Sequence, residues 1–297
     1  MLERFLQNSI LEIPDKTMDT HQCVVDYING RSSEVDGWFY PLDMMLIVVL
    51  DSLQKAWGVP GDICEVGVYK GKSLVLFGML AREQETLFAL DSYPDDYLEA
   101  AQGAVSRFCP GARNIKFLVG DTSQYTALQL RELFPSKVRF LHIDAGHEYH
   151  EVLHTMYLLA PHVHADGIII MDDYQDREFP GVASAVLDFC SRTQPRQFVP
   201  FLSGSNKMYL CSPGIAHRYQ TSLISQDGFC DRMRLSRIRD SLVFVAASRE
   251  PMQSDAIVRL MQQDVLEYAT EINVEELGRL AKRNAQNATR AAAAVVP

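Results

Sequence analysis

The sequence predicts an α/β fold with a mostly parallel sheet of seven strands, the last of them antiparallel, covered by helices. Strand-like apolar runs alternate with helical segments over residues 62–192, which is the pattern of a parallel sheet with helices on both faces. The first strand runs into a glycine-containing turn before a helix. Residues 198–202 and 207–211, joined by Ser-Gly-Ser-Asn, are typical of an antiparallel hairpin that closes the sheet edge.

The elements follow in order along the chain. Residues 2–10 are amphipathic, and a polar stretch follows them, so residues 1–36 are predicted to form an N-terminal helical arm or lid. Apolar positions at helical spacing predict a helix over 41–57, which Gly58 and Pro60 end. The next strands are predicted at 62–66, 87–90, 115–119, 138–143 and 167–171, and the helices at 72–82, 95–108, 125–133, 150–159 and 181–192.

The alternation stops at about residue 214. Residues 37–213 are therefore predicted to form the main domain, and residues 214–297 a C-terminal extension for packing, oligomerisation or a lid. Within the extension, one more strand is predicted at 241–247 and an amphipathic helix at 255–270, before an alanine-rich tail that we expect to fray. We expect the protein to be a homo-oligomer.

Composition excludes several functional classes. With 297 residues, 47% of them hydrophobic, the chain can bury a full core around one catalytic unit. A net charge of -10 argues against nucleic acid and anionic membranes as partners, because both attract basic surfaces. No apolar run is long enough to span a bilayer, and the N-terminus lacks the apolar core of a secretory signal. The six cysteines are scattered, without metal-like spacing, so we expect reduced thiols and a cytoplasmic location.

The most specific motif is the turn after the first strand, Glu65-x-Gly67-x-x-x-Gly71. Glycines let the backbone approach a ligand closely, and a helix that begins at the second glycine directs its free N–H groups at that ligand. A dinucleotide turn would carry three glycines in the pattern G-x-G-x-x-G. Here a carboxylate ends the strand, where it would repel a pyrophosphate and could hold a cationic amino-acid group. The motif therefore favours S-adenosylmethionine over NAD, with predicted contacts from Glu65, Gly67, Tyr69, Gly71 and Ser73.

Two further acids follow the next two strands. Ligands of such sheets lie outside the carboxyl ends of the strands. Asp91, followed by Ser92, is placed to accept hydrogen bonds from ribose hydroxyls, and Asp121, followed by Thr122, lies near the expected adenine position. The alternative is that each acid caps the helix that follows it.

The fourth and fifth strands end in carboxylates. Asp144, Asp172 and Asp173 would crowd like charges into one cleft, which is costly unless a cation lies between them. Hard oxygen ligands favour Mg²⁺, with positions left for substrate oxygens and water. Capping of a loop and a helix is the alternative for these acids.

His147 follows Asp144 by three residues and is predicted to face the same cleft. A neutral imidazole near pH 7 suits the removal of a proton from an acceptor hydroxyl. His142 and His150 are predicted to lie inside the strand and on the helix, so His147 is the predicted base.

The segments Glu-Val-Gly-Val-Tyr-Lys-Gly-Lys-Ser, His-Ile-Asp-Ala-Gly-His-Glu-Tyr and Gly-Ile-Ile-Ile-Met-Asp-Asp-Tyr resemble the macrocin and mycinamicin sugar O-methyltransferases over roughly residues 37–212. The resemblance implies a Rossmann-like class I methyltransferase fold, with Asp144, Asp172 and Asp173 as Mg²⁺ ligands and His147 as base. Catechol O-methyltransferases look similar in the metal spacing. His154 and the Asp166-Gly167 pair depart from the family pattern, outside the core chemistry.

These observations predict an S-adenosylmethionine-dependent, Mg²⁺-dependent O-methyltransferase. Its acceptor would be a small-molecule hydroxyl with an adjacent second oxygen, such as a sugar unit of a natural product. A catechol or phenolic acceptor is an alternative, and Trp38, Phe39 and Tyr40 are candidates for lining its site. The remaining alternatives are a non-catalytic cofactor-binding scaffold and an NAD-dependent sugar-modifying enzyme.

Overall fold

The computed structural model describes residues 20–109, 114–192, 197–225 and 233–246, together with the single position 282. The strands of these residues are β1 Asp62–Val66, β2 Leu87–Asp91, β3 Ile115–Val119, β4 Val138–Ile143, β5 Val163–Met171, β6 Val199–Ser203, β7 Met208–Cys211, β8 Met233–Ile238 and β9 Ser241–Ala246. Their α-helices are α1 Thr20–Asn29, α2 Pro41–Ala56, α3 Lys72–Leu80, α4 Tyr97–Phe108, α5 Ala127–Leu133, α6 Tyr149–Leu159, α7 Pro180–Arg192 and α8 Pro213–Ile224.

All the strands of the described residues belong to one sheet, in the order β3-β2-β1-β4-β5-β7-β6-β9-β8. From β3 to β5 the strands are parallel. β7 runs antiparallel to both of its neighbours, β5 and β6. β9 is parallel to β6, and β8 pairs with β9 as an antiparallel hairpin.

The prediction of seven strands is wrong, because the sheet of the described residues has nine. The strand predicted at 241–247 is present as β9. Its partner β8 was not predicted, because half of its residues are polar and only Met233 is buried. The predicted hairpin of β6 and β7 is present. It does not close the sheet edge, because β7 lies between β5 and β6 and the edge strand is β8.

The core has two layers, one on each face of the sheet. Successive strand residues point to opposite faces. Ile63 therefore packs in the cluster that contains residues of α1 to α4 and α8, whereas Cys64 packs in the cluster that contains residues of α5, α6 and α7. Because both faces of β1 and β4 are covered, every residue of these strands is buried, and polar side chains near their ends are buried with them.

Some predictions fall outside the described residues, namely the helices at 2–10 and 255–270 and the tail. The division into arm, main domain and extension stays a prediction, although α8, β8 and β9 continue the sheet or pack on it. Among the described helices, none combines the length and apolar character that crossing a bilayer requires.

Candidate active site

The candidate site lies at the carboxyl ends of β1, β2, β4 and β5, where the predicted side chains leave the sheet. The turn after β1 lies directly against the end of β4. Gly67 has φ +84, and a Cβ there would lie 1.9 Å from the backbone oxygen of Asp144. Asp144 N in turn donates to Val66 O at 2.7 Å. Glycine at 67 is therefore required both by its backbone angle and by the close approach of the acid-bearing strand.

The second glycine starts the helix. Gly71 adopts a left-handed conformation with φ 90 as N-cap of α3, and Ser73 is buried in the first turn of that helix. Between the glycines, Tyr69 has φ 50, and its ring lies 5.9 Å from the ring of Trp38 and 4.6 Å from that of Tyr97. The turn thus presents the first turn of α3 on one side and an aromatic surface on the other.

Glu65 is fully buried at the end of β1. Its Oε1 lies 2.8 Å from His142 Nδ1, whereas its Oε2 is buried and has no hydrogen-bond partner among the described residues. An unpaired buried carboxylate oxygen is costly, and a cationic ligand group would remove that cost. This orphaned oxygen fits the cationic amino-acid group that the sequence predicts at Glu65.

In the structure both carboxylate oxygens of Asp91 accept hydrogen bonds from the protein, and the predicted ribose contact stays a prediction. Its Oδ2 accepts hydrogen bonds from the backbone N–H groups of Val68 at 2.6 Å and Tyr69 at 2.9 Å. Its Oδ1 accepts from Tyr93 N at 2.8 Å and Ser92 Oγ at 3.3 Å. Asp91 therefore holds the glycine turn in place, and a ribose would have to share these oxygens.

Asp121 caps the short 3₁₀ turn that follows β3. Its Oδ1 accepts from Ser123 N at 2.7 Å. Hydrogen bonds from the Ser123 side chain and, second, from its backbone lower the pKa of the Asp121 carboxyl below its ordinary value. The adjacent Thr122 Oγ1 lies 2.9 Å from Thr155 Oγ1 of α6. Asp121 therefore caps a 3₁₀ turn, whereas the following helix α5 is capped by Thr126. The predicted adenine contact stays a prediction.

The acids at the ends of β4 and β5 come together in two overlapping groups. His142, Asp144 and Asp172 each offer an atom within 4.8 Å of the others, and so do Asp144, His147 and Asp173. Asp144 belongs to both groups. The predicted ligands therefore converge, and His142, predicted to lie inside the strand, is buried there yet joins the first group.

His147 lies at the exposed rim of this cluster. Its Nε2 is 3.0 Å from Asp173 Oδ2, and its ring stacks on Phe179 with centroids 3.9 Å apart. The hydrogen bond to Asp173 raises the pKa of His147, against the lowering effect of partial burial. Because Asp173 accepts at Nε2, Nδ1 is the nitrogen that is left to take a proton.

Two residues of the β6–β7 turn reach the acids, and the sequence analysis did not single them out. Asn206 Nδ2 donates to Asp173 Oδ1 at 2.8 Å and to Asp172 Oδ1 at 3.4 Å. Lys207 is 2% exposed, and its Nζ forms an ion pair with Asp172 Oδ2 and lies 3.0 Å from His142 Nε2. The available signal was a lysine placed directly before a fully apolar strand, where a charge must have a partner.

The charges of the cluster fit a divalent cation. Burial, followed by the charge of Asp172, raises the pKa of Asp144 well above its ordinary value. Burial also acts to raise the pKa of Asp172, but the charge of the neighbouring Lys207 is the largest opposing influence, and the pKa is held low. The carboxylates of Asp144, Asp172 and Asp173 outnumber the single ammonium of Lys207 by two, which is the charge of a divalent ion. Carboxylate oxygens are also the ligands that Mg²⁺ prefers.

Solved structures similar to this one include three O-methyltransferases. The O-methyltransferase NovP is 17% identical and has a TM-score of 0.46, covering 65% of this chain and 99% of its own. CalS11, a TDP-rhamnose 3'-O-methyltransferase of calicheamicin biosynthesis, is 17% identical with a TM-score of 0.46 and coverage of 71% and 98%. The O-methyltransferase from Bacillus cereus in complex with SAH is 15% identical with a TM-score of 0.45 and coverage of 67% and 91%.

The sequence of the chain matches a known domain over the predicted residues of the candidate site. No curated protein matches the chain. Residues 64–174, from the first strand of the site to the acids after β5, match the family model described as a methyltransferase domain. Residues 64–174 therefore carry a methyltransferase domain, and the protein is an enzyme of the methyltransferase class.

Proposed function

We propose that the protein is an S-adenosylmethionine-dependent, Mg²⁺-dependent O-methyltransferase. Its acceptor is a small molecule whose hydroxyl has a neighbouring oxygen, such as a sugar unit of a natural product. The observation that carries the proposal is the contact between the two halves of the site, which are the glycine turn after β1 and the acids at the ends of β4 and β5. The glycine turn approaches the backbone of Asp144 so closely that not even a Cβ fits between them, and the Asp144 side chain belongs to both candidate metal groups.

The residues for the methyl donor are those of the turn. S-Adenosylmethionine would supply a methyl group bound to a sulfonium sulfur. Glu65 Oε2 would bind its cationic amino-acid group, and the N-terminal end of α3 would bind polar groups through free N–H donors. We also propose contacts with S-adenosylmethionine from Tyr69 and Ser73, and from the residues after β2 and β3, which are Asp91, Ser92, Asp121 and Thr122.

The residues for the acceptor are those of the acid cluster. Asp144, Asp172 and Asp173 would hold Mg²⁺, which would supply a Lewis acid that lowers the pKa of a bound hydroxyl. His147 Nδ1 would take the hydroxyl proton, while Asp173 Oδ2 orients the ring through Nε2 and Phe179 supports it by stacking. Holding the acceptor oxygen beside the methyl donor would then provide most of the rate gain.

A catechol or phenolic acceptor is favoured by a separate observation. Trp38 is 83% exposed and Tyr40 is 53% exposed, and both precede α2. Because Trp38 packs against Tyr69 of the turn, its exposed face provides a surface on which a flat acceptor ring could stack. Phe39 is buried instead, beneath Lys207.

The experiment is a methyl-transfer assay with isotope-labelled S-adenosylmethionine, a panel of glycosides and a panel of catechols, each with Mg²⁺ or with excess chelator. We expect S-adenosylhomocysteine and a product that gains one labelled methyl, in Mg²⁺ only. Asp144→Ala should abolish this turnover and leave binding of S-adenosylmethionine largely intact. Undiminished turnover in chelator would refute the metal, and the panel that reacts decides the acceptor class.

The same assay separates the remaining alternatives. A non-catalytic scaffold would bind S-adenosylmethionine without releasing S-adenosylhomocysteine, and an NAD-dependent enzyme would bind NAD in calorimetry. The homo-oligomer also remains a proposal, which light scattering of the purified protein tests.

A further inference from the structure

Lys207 is a buried cation inside the acid cluster. Only 2% of it is exposed, and its Nζ contacts Asp172 Oδ2, lies 3.0 Å from His142 Nε2 and lies 5.1 Å from the ring centroid of Phe39. Burying an ammonium is costly unless a carboxylate compensates it, so the ion pair with Asp172 is what keeps Lys207 in this position.

In one of the two candidate metal groups, Lys207 already occupies atoms that could bind a metal ion. An ammonium is only a donor, so His142 Nε2 must accept from Lys207, and the ring hydrogen lies on Nδ1, where it is donated to Glu65 Oε1. His142 then has no lone pair for a metal ion, and Asp172 Oδ2 is paired. In the group of His142, Asp144 and Asp172, the cation is therefore Lys207 itself.

Helix α2 fixes the β6–β7 turn, which carries Lys207. Asp43, in the first turn of α2, accepts hydrogen bonds from Ser205 N at 3.1 Å and Asn206 N at 3.3 Å. A Cβ at Gly204 would lie 1.7 Å from Asp43 Oδ1, so the turn packs directly on this carboxylate. Asn206 O also accepts from Tyr174 N at 3.0 Å. Lys207 is thus held against Asp172 by the fold.

From these contacts we propose that Lys207 is a positioning residue that competes with the divalent ion for Asp172 and weakens the ion's binding to the free enzyme. The inference rests on the proposed function, because it concerns the same metal. Asp144 and Asp173 would be the principal protein ligands, with Asp172 shared between the ion and Lys207. An ion held by fewer protein oxygens keeps more positions for acceptor oxygens, so the ion would bind firmly only together with the acceptor.

The charge of Lys207 acts in the same direction. A positive charge beside a metal ligand repels a divalent ion, and it does so most strongly at a buried site. Replacing Lys207 with an uncharged side chain removes that repulsion and frees Asp172 Oδ2. It also leaves buried carboxylates without a counter-charge, so the folded variant should depend on a divalent ion for stability.

The test is direct Mn²⁺ binding to the whole protein, without S-adenosylmethionine or acceptor, for wild type, Lys207→Met and Lys116→Met. Lys116 is a half-buried lysine of β3 outside the cluster, so it matches the change of charge. We expect roughly tenfold or more tighter Mn²⁺ binding by Lys207→Met and no change for Lys116→Met. Mn²⁺ should also raise the Tm of Lys207→Met more than that of wild type.

Lys207→Gln keeps a donor for Asp172 and is the second variant if Lys207→Met does not fold. Equal or weaker Mn²⁺ binding by the folded variant overturns the inference, and so does the absence of Mn²⁺ binding from both wild type and variant. Turnover by wild type that requires Mg²⁺, combined with no gain in the variant, would reject this inference and leave the proposed function standing. A gain in Mn²⁺ binding by the variant, combined with no methyl transfer to either acceptor panel, would support this inference and reject the proposed function.

Discussion

Glu65 of β1 and His142 of β4 are opposite each other on adjacent parallel strands, and their side chains meet with Oε1 2.8 Å from Nδ1. His142 Nε2 contacts Lys207, which is paired with Asp172. A buried row of polar contacts therefore crosses from β1 to the start of β7. It connects the end of the proposed cofactor turn to the acid cluster, through residues that a strand would normally fill with apolar side chains.

Glu65→Gln should weaken binding of S-adenosylmethionine by roughly tenfold or more, because it removes the charge that would pair with the cationic amino-acid group. Glutamine keeps an oxygen for His142, so the buried row is preserved. Calorimetry measures the affinity, with 5′-methylthioadenosine as the control ligand that lacks the amino-acid group. Equal losses for both ligands would mean that Glu65 supports the fold of the turn and does not bind that group.

His147 should titrate above the ordinary histidine pKa of 6.5 in the metal-free protein, chiefly because of its hydrogen bond to Asp173. Imidazole NMR shifts against pH measure this value. Asp173→Asn should lower the pKa of His147, and asparagine tolerates the positive φ of this position. Glu151→Gln, which removes a weaker influence on His147, should lower it less. A wild-type pKa at or below 6.5 would contradict the geometry.

The raised pKa of His147 also predicts how activity depends on pH. If neutral His147 is the base, its raised pKa leaves more of the ring protonated near neutral pH, so kcat/KM should rise as the pH rises through that pKa. His147→Asn should remove this rising limb. A limb that is unchanged in the variant would assign the base to another group.

The elements of the α/β sheet could be predicted because their signals are local. Each strand from β1 to β5 contains a short apolar run, and each following helix has its own periodicity or cap. Parallel strands also place their carboxyl ends at one edge, so the approach of Asp144 to Asp172 followed from strand ends alone. Residues 64–174, where these patterns are clearest, are also the residues of the methyltransferase domain.

The remaining features depend on long-range pairing. Lys207 and Asn206 reach the acids only because β7 inserts beside β5, and a hairpin signal does not say on which side of the hairpin the sheet continues. Asp43 is fixed by a turn that lies far along the chain. For Asp91, the backbone donors of Val68 and Tyr69 lie in the loop after another strand, so its position after β2 did not indicate these contacts.

Asp43 should make the protein less stable as the pH rises through the weakly acidic range. Burial raises its pKa from 3.8 to about 6, so the fold favours the protonated form. The contribution is complete below pH 3.8 and is lost as the pH rises towards 6. Relative to Asp43→Asn, the free energy of unfolding of wild type should fall by about 2 kcal/mol between about pH 4 and about pH 7.

Urea unfolding of both proteins across this range measures the difference, and the comparison cancels the carboxylates that the two proteins share. Asparagine can still accept from the backbone of the β6–β7 turn, so the variant should fold. Parallel curves for the two proteins would show that folding does not raise the pKa of Asp43.

Gly67→Ala should damage both halves of the site at once. A Cβ would lie 1.9 Å from Asp144 O and 2.4 Å from Asp144 C, both backbone atoms, so the ends of β1 and β4 must separate. We expect a loss of about 2–4 kcal/mol in the free energy of unfolding, together with weaker binding of S-adenosylmethionine and of Mn²⁺. Gly58→Ala is the matched control, because Gly58 also has a positive φ, +66, but has no atom within 4 Å of the added Cβ. It should cost only about 1–2 kcal/mol of backbone strain and leave both ligands' affinities unchanged. If Gly67→Ala weakened S-adenosylmethionine alone, the turn and the acids would be independent sites, and the contact on which the proposed function depends would have no role in binding the ion.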